Sequence, residues 1–142
     1  MRTIIWVAWL AFQGLAQTVG AQEGGSLTLT IEVRDVEKAR GQLYVAFYSS
    51  GENFLKKPLT GLRVEVDGGA VAVPCRGLPA GEYAFSLFLD ENGNGRLDTG
   101  AFGIPTEKYA FSNDAEGVMG PPSYEKCRFT LSADTTLVVH LR

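Results

Sequence analysis

Apolar and polar residues alternate with a period of two along most of this chain, a pattern that predicts half-buried strands. Leu27-Thr28-Leu29-Thr30-Ile31-Glu32-Val33 alternates cleanly. Gln42 to Tyr48 is apolar on both faces, and Glu82 to Leu89 places Tyr83, Phe85, Leu87 and Leu89 on one face. Leu62 to Asp67 and Ala70 to Cys75 flank Gly68-Gly69, a two-glycine hairpin signal. Lys126 to Leu131 and Thr135 to Leu141 form a last expected pair, joined through Ser132-Ala133-Asp134. Phe54 to Pro58 offers one short turn at most. Seven strands without a helical period predict an all-β, antiparallel sandwich in a single domain.

One stretch does not fit a minimal sandwich. Glu91 to Ser123 runs about 33 residues without a clear element, well beyond the usual connection. Its composition is not that of a disordered linker, because Phe102, Ile104, Tyr109, Phe111, Val118 and Met119 are apolar or aromatic. The expectation is a long structured loop that folds onto the sandwich as a cap. Something must then offset the entropy of ordering it.

The root of this loop carries the most specific chemistry. Asp90-Glu91-Asn92-Gly93-Asn94-Gly95-Arg96-Leu97-Asp98 places side-chain oxygens at loop positions 1, 3, 5 and 9 and a glycine at position 6. That is the front half of the D-x-[DN]-x-[DN]-G calcium loop. Calcium takes six to eight oxygens, which alternate residues of a turning backbone can aim at one centre. Asp90, Asn92, Asn94 and Asp98 would ligate through side chains and Arg96 through its carbonyl. Position 12, where a glutamate should close the site, is Ala101. Glu107, Asp114 and Glu116 are the carboxylates available to replace it, and the sequence does not choose among them. The competing reading is an Asn/Gly-rich turn whose side chains cap their own backbone.

Export fits these features. Arg2, the apolar run Ile4 to Phe12 and the small residues Val19-Gly20-Ala21 read as a cleaved signal peptide over residues 1–21, leaving 22–142 as the domain. The apolar run is short for a membrane span. The expected location is therefore periplasmic or extracellular, with no stable membrane insertion. Without the leader, whose one charged residue is Arg2, 12 bases face 16 acids, for a net charge of −4. The segment from Asp90 to Ser123 holds six acids and two bases and so carries that whole excess. A local acidic excess suits a cation and argues against a nucleic-acid partner. In an oxidising compartment Cys75 and Cys127 are expected to form a disulfide.

Several motifs together carry a family resemblance. Asp90 to Asp98 is followed by Phe102-Gly103-Ile104-Pro105-Thr106-Glu107, Tyr109-Ala110-Phe111-Ser112-Asn113 and Gly120-Pro121-Pro122-Ser123-Tyr124. This order is similar to an exported bacterial family catalogued as domain of unknown function 2141, from about Leu27 to Leu141. Ala110 stands where a glycine is common, and Tyr124 where the family has phenylalanine. The turn Gly77-Leu78-Pro79-Ala80-Gly81 before Glu82-Tyr83 resembles the corner of transthyretin-like sandwiches, where a leucine plugs the core. The resemblances imply an exported immunoglobulin-like or transthyretin-like sandwich of unassigned biochemistry.

No nucleophile elbow, zinc spacing or phosphate loop is present. The single histidine, His140, lies in a strand-like run, which argues against thiol catalysis. Glu107 and Asp114 are the one pair to weigh for glycoside hydrolysis, and nothing in the sequence positions them. The expected function is thus non-enzymatic: calcium orders the cap, and the domain serves binding or envelope structure. The alternative is a carbohydrate- or peptide-binding module using Tyr109, Phe111, Ser112 and Asn113, with the metal incidental or absent. The partner, a protein or a glycan, is not legible.

Overall fold

The computed structural model describes residues 26–36 and 40–142, so the expected leader and its cleavage site lie outside the described residues. Eight strands form two sheets: β1 (Leu27–Arg34), β2 (Arg40–Tyr48), β3 (Thr60–Asp67), β4 (Val71–Leu78), β5 (Gly81–Asp90), β6 (Tyr109–Phe111), β7 (Phe129–Leu131) and β8 (Thr135–His140). The small sheet has the order β4-β1-β8, and the large one β3-β2-β5-β6 with β7 pairing the start of β5. The fold is therefore the expected all-β, sandwich-like one, and its pairings are antiparallel except that β1 and β8 run parallel. Among the described residues no helix is long and apolar enough to cross a membrane.

The alternation seen in sequence becomes two cores on either side of the large sheet. Between the sheets, Leu29, Ile31 and Val33 of β1 and Val73 of β4 meet Leu43, Val45 and Phe47 of β2 and Phe85, Leu87 and Leu89 of β5. Leu78 plugs this core, and the Tyr83 hydroxyl closes the corner by donating to the Pro79 carbonyl at 2.7 Å. The other face of the same sheet is buried too. Tyr48, Ala46, Ala84 and Phe88 lie there under Phe54, Leu55, Leu97, Phe111 and Cys127. Tyr44 stacks on Phe88 with ring centroids 5.1 Å apart. This explains why residues 42–48 are apolar on both faces. The segment after β2 and the long loop form a third layer.

Several expectations are corrected. Gly68-Gly69 and Ser132-Ala133-Asp134 do not close hairpins: β3 and β4 lie in different sheets, as do β7 and β8. Both turns carry the chain across the sandwich. The expected strand from Lys126 shrinks to β7, because Tyr124–Cys127 forms one helical turn, α1, whose N-cap Ser123 accepts from the Lys126 N–H at 3.3 Å. The long loop contains an unforeseen strand, β6, paired with Ser86 to Phe88 of β5. The disulfide is not formed. Cys75 and Cys127 are free and buried, one between the sheets and the other in the outer cluster. Burial pushes both thiols up to about 12.

A cap that merely rested on the sheet would tolerate loss of its floor. Phe88→Ala is expected to lower unfolding free energy by about 3–5 kcal/mol, as much as Phe85→Ala between the sheets. Urea denaturation of the two variants measures this; a cost below about 1 kcal/mol for Phe88→Ala alone would show that the outer cluster is not a core.

Candidate functional site

Strand β5 ends at Asp90, whose side chain points to the outer face and is only 1% exposed. Gly41 of β2 lies against its main chain: a Cβ there would fall 2.3 Å from the Asp90 carbonyl oxygen, so only glycine lets the loop root sit this close. The chain then coils around the Asp90 carboxylate. The N–H groups of Gly93 and Asn94 donate to Asp90 Oδ1 (3.0 and 3.3 Å), and Gly95 N–H donates to Oδ2 (2.7 Å). Gly95 has φ +79°, the left-handed conformation expected for loop position 6. Asn92 Oδ1 accepts from Asn94 N–H at 3.1 Å, and Asn94 Oδ1 from Arg96 N–H at 3.0 Å.

The expected ligand residues are therefore brought together. Asn92 Nδ2 and Asn94 Nδ2 both reach the Asp98 carboxylate, the latter at 2.6 Å. Leu97 turns inward and anchors the loop in the outer core. Arg96 joins the network through its N–H, with its side chain in solvent. Among the described residues no three Asp, Glu, His or Cys side chains are gathered closely enough to hold a metal by themselves.

The choice between Glu107, Asp114 and Glu116 is decided by topology. After Asp98 the chain makes a small hairpin, with Thr106 N–H donating to the Asp98 carbonyl (2.9 Å) and Gly100 N–H to the Ile104 carbonyl (2.7 Å). This returns Glu107 to the loop root, where it is 8% exposed. Its Oε2 accepts from Glu91 N–H and its Oε1 from Asp98 N–H, both at 3.1 Å, so one carboxylate spans both ends of the loop. Burial raises the Glu107 pKa; the two N–H bonds oppose this, and the neighbouring Asp98 and Asp90 charges add to it.

Asp114 and Glu116 go elsewhere. The Asp114 carboxylate accepts from the main-chain N–H of His140 at 2.9 Å and meets its ring Nδ1 at 2.7 Å. Arg142 pairs with both Asp114 and Glu116. These contacts fasten the cap to the end of β8. Burial works against ionisation of Asp114, but the hydrogen bonds from His140 and the charges of His140 and Arg142 outweigh it and hold the carboxyl below its usual range. With Asp114 committed to β8 and Glu107 to the loop root, the two hold separate structural posts in place of the weighed carboxylate pair.

The residues expected to line a ligand groove are mostly internal. Phe111 is buried in the outer core. Ser112 is buried as well; its hydroxyl accepts from Phe85 N–H (3.0 Å) and donates to the Cys127 carbonyl (2.6 Å). Asn113, at φ +65°, donates through Nδ2 to the carbonyls of Lys126 (3.1 Å) and Arg128 (2.9 Å). Half-buried Tyr109 packs beside Phe111, and its main chain exchanges hydrogen bonds with Arg142. A surface cleft of about 300 Å³ lined by Ser49, Asn53, Lys57, Pro58 and Leu59 includes none of these. What the cap does expose is different: Phe102 (98%) and Met119 (101%), both non-glycine residues at positive φ, together with Ile104 and Val118.

A sandwich-like all-β domain whose β5 runs into an Asx-rich loop, with a structured cap over its outer face, is the class that fold and site define. Residues 31–138 match the family described as "Uncharacterized protein conserved in bacteria (DUF2141)", and the chain belongs to that family. No curated protein and no solved structure matches it.

The fastening at Asp114 has a pH signature. A carboxyl with a lowered folded pKa adds stability that is complete above its unfolded value, about 3.9, and is lost as pH falls through the folded value. Asp114→Asn should therefore flatten the acid limb of stability against pH. Denaturant melts at a series of acid pH values test this; an acid limb as steep as the parent's would refute the assignment.

Proposed function

We propose that this is an exported, non-enzymatic β-sandwich domain whose Asp90–Asp98 loop binds calcium and so fixes the cap, for a binding or envelope role. The observation that carries the reading is the return of Glu107 to the loop root. It puts the Glu107 carboxylate on the main-chain N–H groups of Glu91 and Asp98, within range of the Asp98 and Asp90 charges, while the Asn92 and Asn94 amides meet Asp98. This donor set is rich in hard oxygens, which suits calcium. Burial first, and the Asp98 and Asp90 charges after it, oppose ionisation of Glu107, and a divalent cation would favour the ionised form. The Asn92 and Asn94 amides would turn their oxygens toward Asp98, an arrangement that is repulsive until a cation lies between them. Asp98 and Arg96 complete the set as side-chain and carbonyl donors.

With few formal charges, affinity on the order of 10⁻⁴ M is expected. At a hundredfold excess over that value, calcium should stabilise the protein by about 2.7 kcal/mol, seen as a raised melting temperature that Asp98→Asn removes. Asp98→Asn keeps the size of the side chain, and a far-UV spectrum matching the parent's checks that the variant is folded. A melting curve that ignores calcium at that excess would sink the reading.

A second reading, a peptide- or carbohydrate-binding module, draws on a different observation. Phe102 and Met119 protrude at φ +61° and +62°, and large side chains held at such angles are uncommon outside functional sites. On peptide and glycan arrays this reading expects hits that vanish in Phe102→Ala with Met119→Ala. Hits that persist in that double variant, or none at all, count against it.

A further inference from the structure

The edges of the two sheets are not treated alike. In the small sheet, β4 carries Pro74, which has no N–H to offer, and the His140 N–H of β8 is taken by Asp114 at 2.9 Å. In the large sheet, β6 is three residues long and its Tyr109 main chain is engaged by Arg142. Strand β3 has none of these protections. It is eight residues long, lacks proline, pairs with β2 without a register shift, and is an end strand of its sheet. Such an edge presents a row of unpaired N–H and C=O groups.

The side chains of β3 are self-complementary. Leu62, Val64 and Val66 face the inter-sheet core, and Leu62 and Val64 are only partly buried there. Arg63, Glu65 and Asp67 face the other way and are exposed. Arg63 lies over the Tyr44 ring at 5.8 Å and Asp67 pairs with Arg40 at 3.0 Å, whereas Glu65 makes no ion pair among the described residues. We propose that β3 is a homodimer interface, pairing antiparallel with β3 of a second copy about a two-fold axis through Val64.

The register follows from the sequence. With Val64 opposite the partner's Val64, Arg63 faces the partner's Glu65 and Glu65 faces the partner's Arg63. Leu62 faces the partner's Val66, and Gly61 the partner's Asp67. A shift of one residue sets apolar faces against polar ones. A shift of two, in either direction, sets Arg63 against itself or Glu65 against itself. The chosen register pairs opposite charges twice without setting any like charges against each other, and it covers the exposed flanks of Leu62 and Val64. It also joins two five-stranded sheets into one continuous sheet.

Sedimentation equilibrium on the full chain, as processed and purified from the cell, tests the interface. The parent is expected to approach twice the mass of one chain as concentration rises. Arg63→Glu or Glu65→Arg alone places like charges opposite each other at two symmetric points and should weaken association by about tenfold or more. The double variant Arg63→Glu/Glu65→Arg, and an equimolar mixture of the two single variants, should both restore it. Both substitutions are on exposed positions, and an unchanged far-UV spectrum reports that folding is intact in each variant. A parent that stays at single-chain mass throughout, or a dimer indifferent to Glu65→Arg, overturns the proposal.

Discussion

Strand β5 must be covered on both faces, and the rest of the molecule is arranged to do so. From Tyr83 to Asp90 every residue is buried. One face is covered by the small sheet, as in any two-layer sandwich. The other would leave Ala84, Ser86 and Phe88 in water were it not for Phe54 and Leu55 from the segment after β2, Leu97 and Phe111 from the long loop, and Cys127 from α1. Each large apolar side chain so buried contributes about 1.5–3 kcal/mol. Together they offset part of the entropy of ordering a loop with little regular structure. The cap is thus part of the core that happens to be built from irregular chain.

Irregular chain leaves main-chain donors without ladder partners, and in a buried layer those donors must be satisfied. Here polar side chains take the place of a neighbouring strand. Asp90 accepts from three N–H groups, Glu107 from two, and Ser112 and Asn113 tie the end of β6 to β5 and to α1. The sequence motifs that carry the family resemblance fall on these residues. The motif Phe111-Ser112-Asn113 is a splice between three pieces of chain, and Asp90 is the hub around which the loop coils. Carboxylates placed to hold the main chain are brought close to one another as a result, which is why the same residues raise the question of a cation.

Much of this was legible in the sequence, for physical reasons that also explain what was not. Alternation located β1, β2 and β5 because each buries at least one complete face. The double-sided apolar run at 42–48 already implied a covered outer face. Turn residues were another matter: Gly68-Gly69 announces a change of direction, and says nothing about which sheet receives the next strand. Strand β6 was invisible because three residues give no period. The cysteine count could not tell that Cys75 and Cys127 occupy opposite faces of one sheet. At the loop, Asp90, Asn92, Asn94 and Asp98 were readable from spacing, but Glu107 joins them only through the Thr99–Pro105 bridge and the hairpin around it. Composition likewise marked the loop as apolar without separating Leu97 and Phe111, which turn inward, from Phe102 and Met119, which do not.

The parallel pairing of β1 with β8 has a consequence for assembly. The central strand of the small sheet lies between β4 and β8, so one of its flanks stays open until residues 135–140 arrive. The cap waits on the same event, since Asp114 and Tyr109 are fastened by His140 and Arg142. A portion ending before residue 135 lacks both the β8 partner of β1 and the contacts that fasten the cap. The small sheet and the fastening of the cap are therefore completed in one late step, by the same short stretch of chain.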